Sequence, residues 1–296
     1  MGWNWVARAT TRKGLTTLAG ALALAAAVIP MSASAQTATG IAATKHNLRA
    51  DGPGENKFTA TGTTGATEIC VFCHTPHGAD TNAAVPLWNR ILPAANTFTT
   101  YDQLKTSSLD GNVVAVGSVS LACLSCHDGA TAMNTVINAP GSGNYNKTTG
   151  FTMAGSWAGG SQTAGQLTGA VNGGISLIGK DLKNDHPVGI QYAGGGYFAD
   201  GTTPGGTKVD ADFAEPKNKV LNDSVVWWVE TGADASGRQK TDMVLYTRTD
   251  STLGVNAGKA QPYVECASCH DPHTENTTFL RIANSGSAVC LACHIK

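Results

Sequence analysis

Four times in this chain a histidine directly follows the second cysteine of a Cys-x-x-Cys pair. Cys70, Cys73 and His74 make the first site, Cys123, Cys126 and His127 the second, Cys266, Cys269 and His270 the third, and Cys290, Cys293 and His294 the fourth; together they use all eight cysteines. In an exported chain an even cysteine count first points to disulfides, and Cys-x-x-Cys pairs also serve as zinc half-sites. Neither explains why four of the eight histidines stand at the same place in the pattern. Covalent attachment of c-type haem does. Each thiol adds across a haem vinyl group, and the adjacent imidazole faces the iron. The expectation is four covalently bound haems, with His74, His127, His270 and His294 as their proximal ligands.

Such a chain must fold around large rigid plates, and its composition agrees. Glycine reaches 35 residues while aromatics make up only 6%, so few large side chains are available to bury apolar area. The predicted fold is mostly coil with short helices and a few short β-strands, organised around a spine of four stacked haems. Arg8, Arg12 and Lys13 precede an Ala/Leu-rich run from Leu15 to Ile29 and a small-residue site at Ala33-Ser34-Ala35. This is the pattern of a cleaved signal peptide over residues 1–35, which leaves a single domain over 36–296. No other apolar stretch is long enough to span a membrane. Removing the three leader cations takes the formal charge from −1 to −4, and with no basic stripe a nucleic-acid partner is not expected.

Between the sites the sequence offers little regular patterning. Residues 36–68 read as a polar, extended arm carrying His46. After the first site, Pro86-Leu87-Trp88-Asn89-Arg90-Ile91-Leu92 places a tryptophan and aliphatics where they could lie against a macrocycle or form a small protein cluster. A long Gly/Ser/Thr/Asn-rich segment covers roughly 138–174, fit to wrap a haem or form an outer surface. His186 stands before Pro187, which biases it toward extended geometry. Val225 to Val229 and Met243 to Tyr246 read as two strands joined by a turn near 232–237. The sequence also repeats itself. Cys70-Val71-Phe72-Cys73-His74-Thr75-Pro76-His77 and Cys266-Ala267-Ser268-Cys269-His270-Asp271-Pro272-His273 share one pattern, and Phe279-Leu280-Arg281-Ile282 is similar to the segment around Trp88 and Arg90.

Four histidines remain beyond the proximal set: His46, His77, His186 and His273. One spare histidine per iron points to bis-histidine coordination, since Met133, Met153 and Met243 sit in no ligand motif. Saturated irons bind no external substrate, so the expected role is electron transfer and not catalysis, at the low potentials that all-histidine ligation favours over histidine–methionine ligation. His77 and His273 lie three residues past a proximal ligand and cannot reach the opposite face of the same iron. Each either does nothing metallic or serves a different haem.

On Lys45-His46-Asn47-Leu48, the Cys70 to His77 motif, Pro86-Leu87-Trp88-Asn89, Asn184-Asp185-His186-Pro187-Val188-Gly189 and the Cys266 to His273 motif, the chain resembles exported multihaem cytochromes of the doubled-CxxCH type. Among these it is most similar to the tetrahaem outer-surface cytochromes that polymerise into filaments (the OmcE type). The resemblance implies a homopolymer with a continuous haem chain, in which His77 is donated to the fourth haem of the adjoining subunit, opposite His294. It further implies His46 with His74, His273 with His127 and His186 with His270. It places the protein at the cell surface or outside the cell, exchanging electrons with partner cytochromes or extracellular acceptors. A soluble periplasmic shuttle, with His77 serving a haem of its own chain, is the competing reading, and a multihaem reductase with an open iron is a third.

Overall fold

The computed structural model describes residues 40–49, 51–54, 57–59, 68–133, 135–138, 152–154, 161–163, 166–168, 176–195, 209–232, 237–249 and 258–295. All of them fall in the unit Gln36–Lys296. The leader expected over 1–35 lies outside the described residues, as does most of 138–174. Numbered along the chain, the strands are β1 (Lys57–Thr59), β2 (Thr152–Ala154), β3 (Ser161–Thr163), β4 (Gln166–Thr168), β5 (Ile190–Gln191), β6 (Lys217–Leu221), β7 (Ser224–Val229), β8 (Met243–Arg248) and β9 (Gln261–Val264). The α-helices are α1 (Ser118–His127), α2 (Cys266–Cys269) and α3 (Ala288–Cys293). The described residues are thus mostly coil, with short helices and small antiparallel sheets.

β1 pairs with β2 and β3 with β4, while the other five strands form one antiparallel sheet in the order β5-β9-β8-β7-β6. Its centre is the pair legible in the sequence: β7 and β8 align Trp227 with Leu245 and Val229 with Met243. β-Branched and aromatic residues of this kind fit a pleated, half-buried surface. The sequence reading missed β6. Asn222 and Asp223, with φ of 49° and 60°, join it to β7 in the two-residue loop that matches the right-handed twist of paired strands. The edge strand is largely exposed and carries Lys217 and Lys219, charges that blunt an open edge.

The arm around His46 is not extended. Gly40–Ala43 forms a 3-10 turn, and Asn47, fully buried, donates its amide to the Ala42 carbonyl at 2.8 Å. The side chain of Asn47 thereby satisfies backbone that the sequence reading left to solvent, and Leu48 goes into an apolar cluster.

The interior is divided. Trp227, Val229, Met243, Leu245 and Tyr192 form one cluster, Leu48, Phe72, Met133 and Leu167 a second, and Phe98, Val116, Leu121, Leu124 and Leu182 a third. Cys269 and Cys293 pack on the first, and Cys73 and Cys126 on the second. The apolar interior lies against the cysteine pairs.

The start of α1 shows how polar groups bind these elements together. Gly117, at its N-cap, offers no side chain. The Glu265 carboxylate takes that place, accepting from Gly117 N at 3.1 Å and from Ser120 Oγ at 2.6 Å. Glu265 also caps α2, in a reciprocal capping box with Ser268. Burial pushes its pKa up, while the bonds from Ser120, Arg248 and Gly117 oppose that shift.

Trp227 is fully enclosed at the centre of the sheet cluster. Trp227→Ala should cost about 3–5 kcal/mol, measured as a lowered denaturant midpoint of the haem-loaded protein.

Candidate haem sites

Each Cys-x-x-Cys-His run is wound into a helical turn. His74 N donates to Cys70 O at 2.8 Å, His270 N to Cys266 O at 3.1 Å and His294 N to Cys290 O at 2.9 Å. In the second site the run ends the longer helix α1. Helical winding sets residues three and four apart on one face, so the two cysteines and the histidine of each run lie on the same side of the turn.

A returning segment then latches each turn. At the first site His74 forms an antiparallel bridge with Trp88, where Thr75 N donates to Leu87 O and Asn89 N to Cys73 O. At the third site His270 bridges Leu280, with Asp271 N donating to Phe279 O and Arg281 N to Cys269 O. At the fourth site His294 bridges Phe213, with Ile295 N donating to Asp212 O and Ala214 N to Cys293 O. This register matches Arg281 to Asn89, not to Arg90 as the sequence repeat implied. Leu87 and Phe279 occupy equivalent places, both in the left-handed region with φ near 57° and 58°. Strain in non-glycine residues of this kind costs on the order of 1 kcal/mol and persists where the surroundings over-determine it.

The latches also orient the rings. Nδ1 of His74 lies 2.7 Å from Pro86 O, that of His127 2.6 Å from Ser176 O and that of His270 2.8 Å from Thr278 O. A protonated Nδ1 donating to a carbonyl fixes the tautomer and leaves Nε2 free as a metal ligand. At His294 the ring meets Phe213 instead, with centroids 4.5 Å apart.

Two of the spare histidines face proximal ones. The ring centres of His74 and His273 are 6.1 Å apart and those of His46 and His127 6.2 Å. Two imidazoles bonded to opposite sides of one metal at about 2.0 Å each have ring centres roughly 6 Å apart. These are the separations that two axial ligands of one iron would have, whereas the resemblance implied His46 with His74 and His273 with His127. The reasons are local. Phe279 stacks on His46 at 4.1 Å, and a hydrogen bond ties His46 to the Pro272 backbone. Asp271 holds His273 by its Nδ1 at 3.3 Å and its amide at 2.9 Å. That hydrogen bonding from His273 keeps Asp271 down at about 2.

Burial, and then the facing His127, push His46 down to about 4. Burial lowers His127 as well, and partial loss of solvent lowers His186, whose side chain stays exposed. Iron binds the neutral imidazole, so these rings are held in the ligating form. His186, expected opposite His270, is also lowered slightly by the charge of His294. His77 differs from the rest. Thr75 stands where the repeat has Asp271, and its hydroxyl donates to the His77 carbonyl, not to the ring. Among the described residues His77 is exposed, and its ring meets no hydrogen-bond partner and no other ring.

The sulphurs follow one another in chain order. Cys73 and Cys126 share one apolar cluster. The Cys123 thiol is pushed well up by donating to Cys266, which is lowered in turn. Cys269 and Cys293 share another cluster. Burial pushes Cys73 and Cys293 up to about 12. All eight cysteines are free of disulfides. Among the described residues no three or more His, Cys, Asp or Glu side chains converge as a zinc site would require.

A family model described as the doubled CXXCH motif matches residues 259–296, which hold the third and fourth sites. It supports a multihaem c-type cytochrome. Covalently bound c-type haem is then the cofactor, and electron transfer the role. No curated protein matches the chain. The residues fit the group: three proximal rings present a free Nε2, and two pairs stand at axial separation. Trp88, buried against His74 at 6.0 Å, has an indole N–H without an acceptor, a donor suited to a haem propionate. Asp271, Glu265 and the Pro86, Ser176 and Thr278 carbonyls are the working groups that sequence reading missed. Only the Thr75/Asp271 difference between the repeated motifs signalled one of them.

His273→Ala should leave every haem attached but convert one to a high-spin form, and His46→Ala should do the same to another. Electronic spectra of the two variants and of the double variant test this, the double showing twice the high-spin fraction.

Proposed function

We propose that this protein is a tetrahaem electron conduit whose subunits polymerise outside the cell, with four stacked haems continuing from one subunit to the next and His77 donated across each junction. When bound, each haem supplies reversible one-electron chemistry. The chain's role is to hold neighbouring sites close and their axial positions filled, so that electrons pass and substrates do not bind.

The observation that carries the reading is the state of His77. Its counterpart His273 is anchored by Asp271 and faces His74, whereas the His77 ring has no partner among the described residues. Large aliphatics are exposed at Leu87 and Ile91, in the segment that latches the first site, and at Leu291 and Ile295, near His294 in sequence, as mating surfaces require. Succession of the sulphurs in chain order supports a linear path. The resemblance puts the donated imidazole opposite His294 of the adjoining subunit.

Haem quantitation should give four per chain. His77→Ala should abolish filaments in electron micrographs of purified material while keeping all four haems attached, one of them high-spin. Filaments that persist in the variant, or fully low-spin haems in a verified wild-type monomer, would overturn the polymer and leave the periplasmic shuttle.

A further inference from the structure

Arg90 is 1% exposed and lies between the first two sites. Its Nε donates to Ser125 Oγ at 3.1 Å, one terminal nitrogen to Ser125 O and Ala132 O, both at 2.8 Å, and the other to Met133 O at 2.6 Å. Every one of these acceptors is neutral. No carboxylate lies within ion-pair distance of Arg90 among the described residues. Burying a charge without a counter-ion is costly. The site offsets some of that cost by aiming carbonyls at the guanidinium, among them Ser125 O in the last turn of α1, the negative end of the helix.

The contrast with the two other arginines at cysteine sites is instructive. Arg281 also reaches a carbonyl inside a Cys-x-x-Cys run, Ala267 O at 3.0 Å, but its charge is felt by the carboxylate of Asp271. Arg248 is paired with Glu265 at 3.1 Å. Arg90 alone of the three has no facing anion. Ser125, which Arg90 grips twice, lies between Cys123 and Cys126.

We infer that Arg90 sets the second haem, the one attached through Cys123 and Cys126, at the highest reduction potential of the four. A fixed positive charge in a low-dielectric site favours the reduced iron, which carries one positive charge fewer, and is little screened by solvent there. Electrons moving along the chain therefore dwell at the second site before passing on. Arg90 is a positioning and charge-setting residue and touches no reacting atom.

The inference rests on the multihaem reading, and haem quantitation separates the two: fewer than four haems on the wild-type protein would count against that reading, not against Arg90. The test is a potentiometric titration of the loaded protein in three forms, wild type, Arg90→Met and Ser125→Asp. The first variant removes the charge. The second keeps the guanidinium and its packing but places a carboxylate on its Nε. In both, the highest of the four midpoints should move to lower potential by more than any other, with those of the third and fourth sites holding. If Arg90→Met does not mature, Ser125→Asp carries the same expectation. A highest midpoint that stays in place in either variant bearing four haems would overturn the inference.

Discussion

One carboxylate decides how the second and third haem sites meet. Glu265 closes the start of α1 from a distant region of the chain, closes α2 through its own capping box, and takes a bond from Arg248 on β8. Helix starts carry unsatisfied N–H groups and partial positive charge, and here two of them share one anion. Ser120 accepts from the amide of Cys266 while donating to Glu265, so the backbone that bears one haem's first sulphur is bonded to the helix that bears another's. There is no room for variation at the contact: a Cβ on Gly117 would lie 2.3 Å from the carboxylate. The approach of Cys123 to Cys266 follows from this arrangement, and with it the closeness of two electron carriers.

The haem sites were the most legible feature of the sequence because their chemistry demands fixed residue types at fixed spacing, which a single chain displays without alignment. The β7–β8 pair was legible for a similar reason, its β-branched and aromatic run being unlike anything else in a glycine-rich chain. The axial pairing was not. Which ring faces which depends on Asp271 and Phe279 acting across space, and neither leaves a periodic trace. The latches were equally hidden, since they are single bridges of two or three hydrogen bonds made by coil. Resemblance implied one pairing, and the rings that face His74 and His127 suit another.

The doubled motifs show how small a sequence change is needed to give copies of one device different fates. Both wind the same turn, both receive a returning segment through a left-handed residue, and both carry a histidine three positions on. An aspartate in one and a threonine in the other distinguish a ring held against its neighbour from a ring with no partner among the described residues. The protein interior is built to the same economy: three small apolar clusters, none large enough to dominate, with sulphurs packed on two of them.

The facing of His74 and His273 has a bearing on how the molecule is made. A site whose attachment residues lie early in the chain is faced by a ring from almost its far end. Long-range closure of this kind is slow and comes late. The contact that faces the first site with His273 therefore forms only once nearly the whole chain has folded.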